Sequence, residues 1–311
     1  MPLDPTVKAL LDQIAENPQP KLWEMPIAAG REAYEGVRLL AGGQSVPIGK
    51  VEAMEAPGPA GPIRLRVFYG VAGGATRPAI IFYHGGGFTI GSLDTHDDLC
   101  RRLANESGCV VVSVDYRLAP ENKFPAAVED AMAAARFVEE NAPRLAIDPN
   151  ALAVAGVSAG ANLATVVCQL AREAGRPRIC LQILMCPFTD ARAETPSLRE
   201  FAQGYFLERK TMEWFMDQYA DKASSLDDPR LSPMRASSLS GLPPAIVYTA
   251  EYDPLRDEGK AYADRLKAEG VEVVYKCAPG MIHDYVTLAA IIPGGADDLA
   301  EIGRLVAERL G

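Results

Sequence analysis

Histidine is scarce in this chain. It occurs three times in 311 residues, as His84, His96 and His283. Any chemistry that needs an imidazole base must use one of those three. Cysteine occurs six times, with no C-x-x-C pair and mostly inside apolar stretches. That excludes a disulfide framework and a thiolate metal site, so the cysteines read as buried free thiols. The first sixteen residues hold no basic segment followed by an apolar one, and no apolar run approaches membrane-spanning length. These absences predict a cytoplasmic protein from a reducing compartment, without a membrane span. Positive charge is also in deficit. Lys and Arg number 31 against 41 Asp and Glu, for a net charge of −10 and a pI near 5.0. Nucleic acid and anionic membrane are therefore not expected partners. The acidic residues are spread along the chain, as on a solvated surface. No internal repeat or low-complexity tract is present.

What remains is an ordinary globular composition, 48% hydrophobic and 23% charged, with length for one large domain or two small ones. Short apolar runs at 46–54, 63–69, 78–83, 109–114, 151–155, 179–185, 245–249 and 271–275 read as strands. Helical stretches are expected at 4–14, 28–40, 94–105, 126–140, 161–171, 255–268 and 297–310. Apolar strands alternating with helices predict a mostly parallel sheet covered on both faces. Two segments fall outside this rhythm. One is residues 1–44. The other is 190–240, with a helix at 210–219 between irregular pieces.

The pentapeptide Gly156-Val157-Ser158-Ala159-Gly160 lies between a strand and a helix. That is the context of a nucleophile elbow, in which a tight turn lifts a serine to a helix N-terminus. A serine needs a base, and the base an orienting acid. In elbow proteins the acid and then the histidine follow the serine, and only His283 follows Ser158. The acid belongs between them at a strand end, where Asp253 is favoured. Asp253 also reads as a helix N-cap ahead of Pro254, and the two roles compete for its carboxylate oxygens. Asp257 is the rival acid and Glu251 a weaker one. Gly85-Gly86-Gly87 follows the third strand directly and exposes backbone N–H groups without Cβ atoms. With the Ala159 N–H, this run is expected to bind a negatively charged oxygen, an oxyanion hole. His84 reads as a support for the glycine loop. The chain gives no reason to expect a metal or cofactor.

These motifs resemble the bacterial hormone-sensitive-lipase family of carboxylesterases, a branch of the α/β-hydrolases. The resemblance rests on His84-Gly85-Gly86-Gly87-Phe88, Tyr116-Arg117-Leu118-Ala119-Pro120-Glu121, the elbow with Asn162-Leu163, Asp253-Pro254-Leu255-Arg256-Asp257-Glu258, and His283, in family order. It implies an α/β-hydrolase fold with a helical cap. The cap would comprise 1–44 and an insertion at about 190–240, with 45–311 as the catalytic domain. It implies Ser158 as nucleophile, Asp253 as acid and His283 as base, with Gly86, Gly87 and Ala159 as oxyanion donors and Gly85 nearby. It implies hydrolysis of short- to medium-chain acyl esters, with a small-molecule ester as partner. An amidase or deacetylase on the same residues is the alternative. A ligand receptor of the same fold is a further one, against which the retained His283 tells. A homodimer is compatible with the chain. Two positions depart from the family pattern: Val157 replaces Asp or Thr, and Ala161 replaces a glycine. The loop at 116–121 is expected to be structural, with Arg117 paired to an acid. Trp23, Tyr205, Phe206, Trp214, Phe215 and Tyr219 are expected to wall an apolar pocket over Ser158.

Overall fold

A computed structural model describes residues 1–41, 46–70 and 76–311. The boundary expected between 44 and 45 lies outside the described residues. Two helices lead the chain, α1 (Pro5–Glu16) and α2 (Ile27–Ala41). Asp4 caps α1 by accepting from the Thr6 and Val7 N–H groups, and Pro5 fills the first position, where no N–H is needed.

The sheet then begins with β1 (Lys50–Gly58), β2 (Gly61–Tyr69) and β3 (Arg77–Tyr83), followed by α3 (Asp97–Ser107) and β4 (Val110–Val114). Next come α4 (Ala126–Glu140), the short α5 (Ala142–Leu145), β5 (Ile147–Val157), α6 (Ala159–Ala174) and β6 (Ile179–Met185). The segment at 190–240 contributes α7 (Pro196–Glu200) and α8 (Arg209–Tyr219). The chain closes with β7 (Ala245–Tyr252), α9 (Arg256–Ala268), β8 (Val273–Ile282) and α10 (Pro293–Leu310). The strand order is β1-β2-β4-β3-β5-β6-β7-β8. Pairing is antiparallel from β1 to β4 and parallel from β4 to β8. This is the mostly parallel sheet that the alternation predicts.

The strands are apolar because both sheet faces are covered. Along β3, Ile81 and Tyr83 belong to the core on the sheet face that α4, α6 and α9 cover, while Ile80 and Phe82 belong to the core under α3 and α10. Strand β8 runs seven residues past its expected end. It is an edge strand, so Pro279 is tolerated there, and a bulge absorbs the irregularity: Ala250 pairs with Ala278 but Tyr252 with Ile282. His283 therefore lies in the turn directly after the end of a strand.

The two segments outside the sheet meet each other. Lys21 pairs with Glu208 at 2.9 Å, and the Lys210 ammonium sits 4.7 Å above the Trp23 ring. Arg31 on α2 donates to the carbonyls of Thr89 and Ala119 and pairs with Glu121, tying α2 to the glycine loop and to the 116–121 loop.

Candidate active site

Ser158 stands between β5 and α6 with φ +55° and ψ −117°, a strained conformation for a residue with a side chain. The turn admits no bulk. A Cβ on Gly160 would lie 1.9 Å from the Tyr83 carbonyl oxygen, and one on Gly156 would lie 2.2 Å from the backbone of Gly160. The Ser158 N–H donates to the Met185 carbonyl at 2.9 Å, which fixes the residue against β6. Asn162, one turn into α6, donates to the carbonyl of Phe188, just before the inserted segment, and to that of Leu231 within it.

His283 and Asp253 meet at the ends of β8 and β7. His283 Nδ1 donates to Asp253 Oδ2 at 2.8 Å, with both side chains buried. Asp253 Oδ1 accepts the Leu255 N–H at 2.8 Å. The turn role and the histidine role thus use different oxygens and do not compete. Helix α9 starts at Arg256, so Pro254 does not open it. Asp257 faces away, accepting from the Ser197 N–H and pairing with Arg256, each at 2.8 Å. Glu251 binds the N-terminal ammonium and the Gly280 N–H. Burial by itself would push the His283 imidazole down, but the charges of Asp253 and Asp284 outweigh it and hold it above its ordinary value.

The glycine loop faces the serine. The N–H groups of Gly86 and Gly87 make no hydrogen bond among the described residues, and Ala159 is the first residue of α6, whose N–H has no helical partner. Gly85 differs from its expected place among the donors. Its N–H is taken by His96 Nε2 at 3.1 Å. That bond requires an unprotonated Nε2. Burial and nearby His84 push the His96 imidazole well down, so the ring stays neutral with Nδ1 bonded to Thr95 Oγ1. His96 precedes α3 instead of lying within it. Its contact with Gly85 crosses eleven residues and leaves no sequence signal. His84 does support the loop: its ring stacks on Tyr116 with centroids 4.2 Å apart, and its Nδ1 bonds the Gly85 carbonyl at 2.8 Å. Arg117 grips Asp130 in a forked pair, as expected of a structural loop.

Cys186 was expected only as a buried thiol. It has φ +45°, and its Sγ lies with ligand atoms of Asp253 and His283 within 4.8 Å of one another. Among the described residues this is the one such group with metal-ligand spacing. Two of its members are already bonded to each other, and burial with the two nearby carboxylates keeps the thiol protonated.

A cavity of about 510 Å³ opens over these groups, lined by Ser158, Ala159, Gly86, Gly87 and His283 on one side. Phe206, Phe215 and Met212 from the inserted segment and Leu11, Ile14 and Leu22 from the N-terminal one form the other. Of the six aromatic residues expected in its wall, only Phe206 and Phe215 line it. Tyr219 instead stacks on Phe88 at 4.0 Å, Tyr205 stacks on Tyr252 at 5.4 Å, and Trp23 lies beneath Lys210.

Residues 80–287 match a family model of the α/β-hydrolase fold. The chain is 46% identical over 259 residues to the carboxylic ester hydrolase LipN of Mycobacterium tuberculosis, covering 81% of this chain and 68% of that protein. It is 43% identical over 235 residues to an ethyl acetate hydrolase of Pseudomonas putida, covering 75% and 73%. The chain belongs to the α/β-hydrolase family, in its hormone-sensitive-lipase branch. Among solved structures of such hydrolases, a hyperthermophilic esterase of Pyrobaculum calidifontis superposes with a TM-score of 0.95 at 44% identity, over 99% of both chains. An ester hydrolase from the Lake Arreo metagenome, in complex with a bipyridine phosphonate derivative, gives 0.95 at 42% identity over 98% of both. The two departures from the hydrolase family's elbow pattern, Val157 and Ala161, are both fully buried in apolar packing. Among the described residues no helix is long and apolar enough to cross a membrane.

Proposed function

We propose that this protein is a carboxylesterase working through an acyl-enzyme, with Ser158 as nucleophile, His283 as base and Asp253 as its orienting acid. One observation carries the reading: a strained serine at a helix N-terminus opens on the same cavity as a histidine whose other nitrogen is bonded to a buried carboxylate. Asp253 on Nδ1 leaves Nε2 with its lone pair, the tautomer that accepts the Ser158 proton. As the oxygen attacks the ester carbonyl, charge gathers on the former carbonyl oxygen. The N–H groups of Gly86, Gly87 and Ala159 meet it, and each such donor is worth roughly 10²–10³ in turnover. The imidazolium then returns its proton to the leaving alcohol. Water, activated the same way, hydrolyses the acyl-serine.

Residues 1–44 and 190–240 act as a cap on the catalytic domain at 45–311. Their contacts with each other and their shared lining of the cavity support this. A cavity of about 510 Å³ is within the usual range for small-ligand sites. Its mostly apolar cap side supports short- and medium-chain acyl groups as substrates. The free thiols, four of them buried, support a cytoplasmic location. Strand β8 ends the sheet with one side unpaired, which supports a homodimer. Similarity to proteins named as ester hydrolases supports esters over amides as substrates. The test is hydrolysis of p-nitrophenyl acetate and butyrate beside the matching anilides, with Ser158→Ala as control. Faster anilide cleavage, or an active Ser158→Ala enzyme, would overturn the proposal.

A further inference from the structure

Arg38 lies near the end of α2, and its side chain is 1% exposed. Its Nη2 donates to Asp284 Oδ2 at 2.8 Å, and its Nη1 donates to Thr287 Oγ1. The rings of Tyr34 and Phe206 flank the guanidinium at 4.9 and 5.7 Å. A cation of the N-terminal segment is therefore buried against the residue that follows His283, 246 positions along the chain.

Asp284 is in the left-handed region, with φ +61°, a conformation aspartate tolerates better than most residues. That turn bends its carboxylate back toward the histidine. Asp284 Oδ1 is 3.5 Å from His283 Nε2, and although buried it makes no hydrogen bond. Nε2 is the nitrogen that must face Ser158, because Asp253 holds Nδ1. An unanswered carboxylate at this distance would favour the imidazolium and hold its Nε2–H in an ion pair. The base would then be both protonated and turned from the serine. Arg38 answers that charge on the other carboxylate oxygen.

We propose that Arg38, acting through Asp284, is a positioning residue that keeps His283 Nε2 free for Ser158 and so makes the base dependent on the docked α2 helix. This rests on the reading of His283 as the base. The groups facing His283 are few. Asp253 comes from the end of β7, Asp284 from its own turn, Arg38 from α2 and Cys186 from the end of β6. The Cys186 thiol stays protonated. The Tyr34 phenol beside Arg38, pushed up to about 12 by burial, also stays neutral, so the pair supplies the adjustable charge.

The experiment compares the acid limb of the kcat/KM profile with the His283 imidazole titration followed by ¹⁵N NMR. Enzyme concentrations are set by phosphonate titration of active sites. Arg38→Met removes the cation, so both readouts should move about one pH unit higher. Asp284→Asn removes the anion, so both should move lower. The double variant carries neither charge and should return close to wild type, and Arg38→Lys should stay there. Melting temperatures report folding separately. If Arg38→Met does not fold, Asp284→Asn carries the test alone. An unmoved imidazole in a folded single variant would overturn the pairing, as would a double variant displaced as far as Arg38→Met. An imidazole that shifts as stated while the acid limb ignores it would instead overturn His283 as the base.

Discussion

Replacing Asp253 by asparagine tests the site with almost no change of shape. The carboxylate has two separate duties. Its Oδ1 accepts the Leu255 N–H, and its Oδ2 accepts the proton of His283 Nδ1, both at 2.8 Å. An asparagine can keep its oxygen on Leu255, which leaves the amide NH₂ facing Nδ1. Two donors cannot share that contact, so the ring must move its proton to Nε2. A protonated Nε2 cannot take the Ser158 proton. The expected loss in kcat is about 10⁴, or roughly 5.5 kcal/mol of barrier. The Leu255 bond survives, so the stability loss should stay near 1 kcal/mol. Initial rates on p-nitrophenyl butyrate, with a thermal melt of each sample, separate the two effects. Asp257→Asn is the matched control, since its carboxylate serves Ser197 and Arg256 and should change kcat only a few-fold. A kcat loss below about tenfold in a folded Asp253→Asn enzyme would refute the reasoning.

Other perturbations read other parts of the site. A Cβ on Gly87 would lie 2.1 Å from the Phe215 ring, at a φ of +57°. Gly87→Ala should therefore displace the loop from the cap and lower kcat by at least tenfold, measured beside its melting temperature. Glu258 is buried, and burial pushes its carboxyl up to about 8. Its folded-state value lies above the unfolded one, so its contribution is intact below about pH 4.5 and is lost as pH rises through 8. Glu258→Gln should accordingly melt like wild type at pH 4 and several degrees higher at pH 8.5; equal shifts at both pH values would contradict the assignment. Along an acyl series, each methylene buried in the cavity adds about 0.8 kcal/mol, close to fourfold in kcat/KM. The gain should hold for the first few carbons and collapse once the chain outgrows the roughly 510 Å³ cavity, whereas faster cleavage of long-chain emulsions would contradict a closed cap.

Much of this site was legible because its signals are local. The elbow needs small residues within a few positions of Ser158, and the scarcity of histidine left His283 without a competitor. The sheet was legible for the same reason, through apolar runs separated by helices. Position favours Asp253, at a strand end, over Asp257, a turn into the next helix, but spacing leaves Asp257 as a rival. What separates them is tertiary: Asp253 ends β7 beside the last residues of β8, while Asp257 lies in the first turn of α9. Strand β8 outruns its apolar run at 271–275 because the bulge that accommodates Pro279 and Gly280 exists only against β7. His96 reaching Gly85, Arg38 reaching Asp284 and Cys186 beside Asp253 depend on how distant elements pack. No periodicity in the chain encodes such contacts. The aromatic residues of 190–240 were recognisable as a group, yet which of them face the cavity is decided by how α8 lies against Phe88 and Gly87.

The central claim is that Ser158 is the nucleophile, and covalent capture tests it most directly. The protein is incubated with an activated alkyl phosphonate, its intact mass is measured, and the adduct is mapped by peptide sequencing. One equivalent should attach, at Ser158, in step with the loss of esterase activity, and Ser158→Ala should take up none. Labelling at another residue, or full activity retained with Ser158 modified, would contradict the account.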